Sequence, residues 1–183
     1  MRRVEKLLRV LAWCLLTLAI GGRAIAASPA AGTEVSCQQL LGKAVVDEIR
    51  ISFPEWHVVG LNELRQDDRN LWTRKRGALC PSVAVGRFQP GAKRQYAVLL
   101  RSDERKLKLI LVTSGKPTQM MFEGEFDVIP VIYRRAPGPL KDAETRHVDA
   151  TAANDVLVVE VPEAGSSAYY FDGGRFKRME LSL

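Results

Sequence analysis

The chain has 183 residues, 27 of them lysine or arginine and 21 aspartate or glutamate, for a formal net charge of +6. That excess invites a nucleic-acid partner, but most of it sits in the first 26 residues, which read as a segment removed on export. The remainder fits one domain, is nearly balanced in charge and has no long linker, so neither a multidomain machine nor a DNA- or RNA-binding protein is expected.

Arg2, Arg3, Lys6 and Arg9 form a positive n-region, and Val10 to Ile20 is an unbroken apolar or neutral run. That run is about eleven residues long, the length of a signal-peptide core and short of the roughly twenty needed to span a bilayer. Ala24-Ile25-Ala26 supplies the small-x-small pattern and places the cut after Ala26. No membrane span is expected after cleavage. The segment removes five bases and one acid, which leaves 22 against 20 and a net charge of +2. Residues 27–35 read as a disordered leader and residues 36–183 as a single domain.

Ser36-Cys37-Gln38-Gln39 is a capping box, a serine hydroxyl facing a glutamine three residues on. Leu40, Leu41, Ala44, Val45, Ile49 and Phe53 follow at helical spacing, and Phe53-Pro54 ends the run. One amphipathic helix over 37–52 is predicted. Trp56 to Val59 has the look of a short strand. The rest of Glu55 to Leu79 mixes polar and apolar residues without a clear period and reads as loop with one helical turn.

Only Cys37 and Cys80 remain after export, with no Cys-x-x-Cys spacing. Two thiols in an oxidising compartment most simply form one disulfide. It would close a loop of about 44 residues, for which chain entropy gives roughly 4 kcal/mol.

From Ser82 onward the pattern turns to β. Strands are predicted over Ser82 to Phe88, Gln95 to Ser102, Leu107 to Thr113, Asp127 to Arg134, Val156 to Val161, Ala168 to Asp172 and Phe176 to Ser182. Pro90-Gly91, Ser102-Asp103-Glu104, Ser114-Gly115-Lys116-Pro117 and Asp172-Gly173-Gly174 are compact turns, which makes the neighbouring strands antiparallel. Arg134 to Asp155, with Pro137-Gly138-Pro139, reads as a surface loop. In the terminal hairpin, Tyr170, Phe176 and Met179 are expected to face the core, with Tyr169 and Tyr170 serving packing.

Residues 86–100 carry a resemblance. Gly86-Arg87-Phe88-Gln89-Pro90-Gly91-Ala92-Lys93-Arg94-Gln95-Tyr96-Ala97-Val98 resembles a degenerate single copy of the FG-GAP/VCBS β-repeat, whose pattern is Gly-Asp-Phe-Asn-Gly-Asp-Gly, two residues, Asp and an apolar strand. Gly86, Phe88 and the Tyr96-Ala97-Val98 strand match. The repeat's acidic positions fall on Arg87, Gly91 and Gln95, and its asparagine on Gln89. Calcium takes about six to eight oxygen ligands, several of them carboxylates, so no metal ligand carries over. With no second copy, the resemblance implies a hairpin and not a multi-bladed propeller.

No catalytic constellation is evident. Gly-x-Ser-x-Gly and the phosphate-cradling Gly-x-x-x-x-Gly-Lys are absent. His147, among Asp142, Glu144 and Asp149, reads as part of a solvated loop. Glu55 and His57, in a strand with Trp56 between them, do not make an acid–base pair by alternation alone, and Glu123 with Glu125 lacks a positioned partner. No cofactor or metal is expected. Basic clusters recur at Arg74-Lys75-Arg76, Arg134-Arg135 and Arg175 with Lys177 and Arg178. Arg87, Lys93, Arg94, Arg105 and Lys106 are the candidate members of a basic patch for an anionic envelope polymer or an envelope protein.

The expected architecture is α+β, one N-terminal helix packed on a mainly antiparallel, rolled sheet of about six or seven strands. The expected role is that of an exported, periplasmic or secreted, non-enzymatic binding or accessory domain. The alternative is an inhibitor or immunity protein that blocks an envelope enzyme, with the Lys93-Arg94 turn or the Arg134 to Asp155 segment as its plug.

Overall fold

The computed structural model describes residues 37–77 and 79–181. The predicted export signal (1–26), the leader (27–35), the Ser36 cap and the last predicted strand residue, Ser182, lie outside the described residues. The described residues fall in one compact unit, Thr33–Leu183. It is a mixed fold with antiparallel sheets, as the α+β expectation has it in outline.

The N-terminal helix is broken in two: α1, Cys37–Leu41, and α2, Lys43–Ser52. Gly42 between them has φ 72° and ψ 156°, a conformation that L side chains strongly disfavour. Leu41, Val45 and Ile49 still form the buried stripe that the spacing predicted. After Phe53, β1 spans Trp56–Val58, and a 3-10 turn at Leu61–Glu63 leads to α3, Gln66–Arg76.

Helix α3 corrects the loop predicted for Glu55 to Leu79. Its apolar face is narrow, Trp72 being its one buried large apolar side chain, so periodicity could not reveal it. What marks it instead is charge. Asp67 and Asp68 lie in the first turn and Arg74, Lys75 and Arg76 in the last, both signs matching the helix dipole. Trp72 donates its indole N–H to Leu79 O at 2.7 Å, while Arg76 lies 4.0 Å over the Tyr133 ring.

The remaining strands are β2 Val83–Gly86, β3 Gln95–Ser102, β4 Lys106–Thr113, β5 Gln119–Glu125, β6 Val131–Arg135, β7 Gly138–Lys141, β8 Val148–Ala152, β9 Val156–Val161, β10 Gly165–Asp172 and β11 Arg175–Leu181. Among the described residues, eleven strands in three sheets replace the single rolled sheet of six or seven. One five-stranded sheet runs β1-β3-β4-β5, with β2 also paired to β3 alongside β1. A four-stranded sheet runs β11-β10-β9-β6, and β7-β8 is a separate hairpin. Both additions come from segments of weak pattern: β5 is a mostly exposed edge strand, and β7-β8 occupies the predicted surface loop.

The two larger sheets pack face to face through Leu99, Leu107, Leu109, Leu111, Ile132 and Leu157. The far face of the five-stranded sheet, with Val98, Leu100, Ile110 and Val112, is covered by α1 and α2. The far face of the four-stranded sheet, with Val158, Ala168 and Tyr170, is covered by Leu140 and Ala152 of the β7-β8 hairpin. Burial on both faces explains why β3, β4 and β9 are apolar runs without alternation. The terminal hairpin corrects one orientation. Phe176 lies opposite Phe171 in the register and joins the inner core with Tyr169, whereas Tyr170 and Met179 face the β7-β8 side.

Cys37 and Cys80 are bridged, with a Cα–Cα distance of 5.1 Å, as predicted from their number. The bond ties α1 to the entry of β2 and is compatible with an exported protein. Among the described residues no helix is long and apolar enough to cross a membrane.

Candidate functional site

The loop from Arg87 to Arg94 connects β2 to β3, whose register runs from Gly86↔Gln95 to Val83↔Val98. Gln89-Pro90-Gly91-Ala92 forms a tight turn, with Ala92 N–H donating to Gln89 O at 3.3 Å and Gly91 at φ 70°. Phe88 is fully buried and pins the loop to the inner core.

Gln95, the first residue of β3, holds the loop shut. Its Oε1 accepts the Gln89 N–H at 2.9 Å, and its Nε2 donates to Gln89 Oε1 and Thr113 Oγ1, both at 2.8 Å. Gln95 is completely buried, so these bonds satisfy both ends of an amide that would otherwise be costly to hide.

A second clamp comes from the other sheet. Asp155, in the turn before β9, accepts the Arg87 N–H through Oδ2 at 2.7 Å and Arg134 Nη1 through Oδ1 at 3.0 Å. Its own N–H donates to Arg87 O at 3.1 Å. Asp155 is 5% exposed, and its charge is balanced by Arg134. Gly86 permits this approach: a Cβ there would lie 2.9 Å from Phe88 Cζ and 3.1 Å from Asp155 Oδ2.

Register places the other turns of this end. Thr113 lies opposite Gln95, which brings the β4–β5 turn with Lys116 beside the loop. Arg135 lies opposite Val156, and the β10–β11 turn with Arg175 extends past the Tyr169↔Leu157 pair. Arg87, Lys93, Arg94, Lys116, Arg135 and Arg175 thus crown one end of the sandwich, and among the described residues none of their side-chain cations forms an ion pair with a carboxylate. The acids nearby are engaged: Asp155 with Arg134, Asp172 with Lys177, and Glu48 accepting from Thr118 Oγ1 at 2.6 Å.

The candidate patch of Arg87, Lys93, Arg94, Arg105 and Lys106 is therefore split. The first three stand at the loop end, while Arg105 in the β3–β4 turn and Lys106 at the start of β4 stand at the far end of the eight-residue strand β3, about 25 Å away. That opposite end is mixed in charge. Lys106 pairs with Glu104 at 2.7 Å, and Arg101 donates to Glu63 at 3.2 Å in a cleft that Arg105 also lines. Glu63 also takes the Gly60 N–H at 2.7 Å and faces His57 Nε2 at 3.0 Å. Burial pushes its carboxyl up, but the bonds from His57, Gly60 and Arg101 outweigh that and hold it below the usual range.

The loop with His147 is organised by its own side chains. Asp142 Oδ1 accepts the N–H groups of Glu144 and Thr145, and Asp149 accepts Thr145 Oγ1 at 2.9 Å. No group of three or more His, Cys, Asp or Glu side chains able to hold a metal stands among the described residues. Glu123 is paired with Lys108 at 3.2 Å, and Lys108 lies 4.2 Å over the Trp56 ring.

Sequence reasoning missed Lys116 and Asp155 as members of the loop end. Lys116 sat in a recognised turn whose place beside the loop follows only from β3–β4 pairing. Asp155 has no local signal, because its partners are 21 and 68 residues away. Comparison with protein-family models, curated proteins and solved structures finds no match.

Proposed function

We propose that this is an exported, non-enzymatic binding domain that docks an anionic envelope partner through its loop end. The observation that carries this reading is the set of six cations, Arg87, Lys93, Arg94, Lys116, Arg135 and Arg175, gathered at one end without ion-pair partners among the described residues. Edge-strand cations that guard against aggregation would not need to share one end of two different sheets. The β2–β3 loop, which carries three of them, is held by the Gln95 and Asp155 bonds, so an incoming anion meets a surface already ordered there. The same reading takes residues 86–100 as a single FG-GAP/VCBS-like repeat, with a glutamine network where such a repeat has its cation.

Retention on immobilised polyphosphate, measured against salt, tests the docking. An Arg87→Glu/Lys93→Glu/Arg94→Glu variant is expected to elute at clearly lower salt than the parent chain, and Arg105→Glu, at the opposite end, to elute unchanged. Equal loss in both variants would overturn the reading. The inhibitor or immunity alternative draws on one feature: Asp155 joins both ends of the Arg134 to Asp155 segment to the start, at Arg87, of the loop that carries the Lys93-Arg94 turn. Stoichiometric recovery of one enzyme or toxin from envelope extract would favour it over a polymer ligand.

A further inference from the structure

Within the loop end lies an open depression of about 510 Å³, walled by Arg87, Gln89 and Lys93 on one side and by Pro137, Asn154 and Asp155 on the other. Its donors come from two sheets. Arg87 and Lys93 rise from the β2–β3 loop, and Asn154 faces them from the turn before β9. Between the two cations the loop lines the space with Gln89, which is bonded to Gln95, and with the small residues Gly91 and Ala92. The walls are fixed to each other by the reciprocal bonds between Arg87 and Asp155, and the loop is fixed internally by Gln95.

We propose that this depression is a seat for one phosphate ester of a polyol, with Arg87 and Lys93 on the phosphate and the Asn154 amide on a remaining oxygen or a neighbouring hydroxyl. The inference deepens the docking reading and rests on it. A guanidinium fork and an ammonium reaching from one wall, with an amide from the other, suit a tetrahedral group that presents three or more acceptor oxygens. A carboxylate offers two oxygens in one plane against a phosphate's three or more, so it satisfies this spread of donors less completely. The one carboxylate in the lining does not repel the ligand as a free charge would. Both Asp155 oxygens are engaged, Oδ1 by Arg134 and Oδ2 by the Arg87 N–H. A water molecule occupies about 30 Å³ of liquid, so the depression also has room for the glycerol or sugar that the phosphate esterifies.

The test is an NMR titration of the disulfide-bonded protein with sn-glycerol 3-phosphate, inorganic phosphate and acetate, followed on backbone and side-chain amides. Saturable shifts centred on Gly91, Lys93 and the Asn154 side-chain amide are expected with both phosphates and not with acetate. Arg87→Gln is expected to weaken glycerol phosphate about tenfold or more, whereas Arg105→Gln, at the opposite end of the sandwich, leaves its affinity within about twofold. Vesicles containing phosphatidylglycerol form a further arm. Binding that depends on Arg87 there assigns a lipid headgroup, and binding of the soluble ester alone assigns a polymer or free ester, and either outcome supports the seat. Shifts that never saturate, that acetate reproduces, or that Arg87→Gln and Arg105→Gln weaken equally would overturn it. If polyphosphate retention survives that result, the end is a diffuse basic surface and only the seat is lost. If retention fails as well, the docking reading falls with it.

Discussion

At Gln95 and Glu63 single side chains carry the local order of the two ends. Gln95 spends one buried amide on three hydrogen bonds that close the β2–β3 loop. Gln95→Leu keeps the volume and removes the bonds, leaving the Gln89 N–H and Thr113 hydroxyl without that partner. The expected cost is about 1–3 kcal/mol in urea unfolding, with added calcium restoring nothing and EDTA leaving the parent midpoint in place. A parent melt that falls on chelation would mean that a cation, and not the amide, holds the loop. At the other end Glu63 has its carboxyl held below the ordinary value by His57, Gly60 and Arg101 against the pull of burial. A depressed carboxylate contributes stability that is complete above the unfolded value, near 4.3 for glutamate, and is lost as the pH falls through the folded one. The parent should therefore melt higher than Glu63→Gln at pH 6, and the gap should close below about pH 4. A gap that persists unchanged to pH 3 would rule out the ionised carboxylate as its source.

The elements show where local pattern sufficed and where it did not. Leu41, Val45 and Ile49 announced a helix, and the structure buries them as a stripe, yet the break at Gly42 passed unnoticed because it leaves that stripe intact. The chain reverses sign in φ at Gly42 and resumes the same apolar face, which no hydrophobic period can register. Gly42→Ala would normally favour a helix, but at φ 72° and ψ 156° the added Cβ is strained. A loss of about 1–3 kcal/mol is expected; a stabilised variant would show that the two helices can fuse. The β2–β3, β3–β4 and β10–β11 hairpins were legible from their turns and long apolar runs. Helix α3, β5 and the β7-β8 hairpin were not, since each buries little of its own surface and is ordered by what it covers. The loop end was half legible for the same reason: Arg87, Lys93 and Arg94 share a turn, but Lys116 and Arg135 reach them only through strand pairing.

At the largest scale the described residues form a stack: helices, five-stranded sheet, four-stranded sheet and hairpin, with three apolar layers between them. The sandwich core joins strands from both halves of the sequence, whereas the helical layer enters from one end of the described chain. The Cys37–Cys80 bridge fastens that layer. Both cysteines lie in the apolar cluster that α1 and α2 form with β2, β3 and β4, and beside them Ser82 Oγ donates to Val59 O at 2.5 Å. Closing 43 residues of sequence separation should contribute roughly 4 kcal/mol through the unfolded chain. For a domain of this size that corresponds to a fall of roughly 8–16 °C in melting midpoint for Cys37→Ala/Cys80→Ala. Intact mass before and after reduction checks the premise, since two free thiols in protein from its native compartment would refute the bond. The stack predicts where the loss begins. Amide exchange should rise first at Val45, Ile49 and the neighbouring α2 residues, while Leu157 and Val158 in β9 keep their protection until global unfolding. Uniform acceleration in both sheets and helices would mean that the bridge stabilises the molecule as one unit, and an unchanged midpoint would mean that the fold does not depend on it.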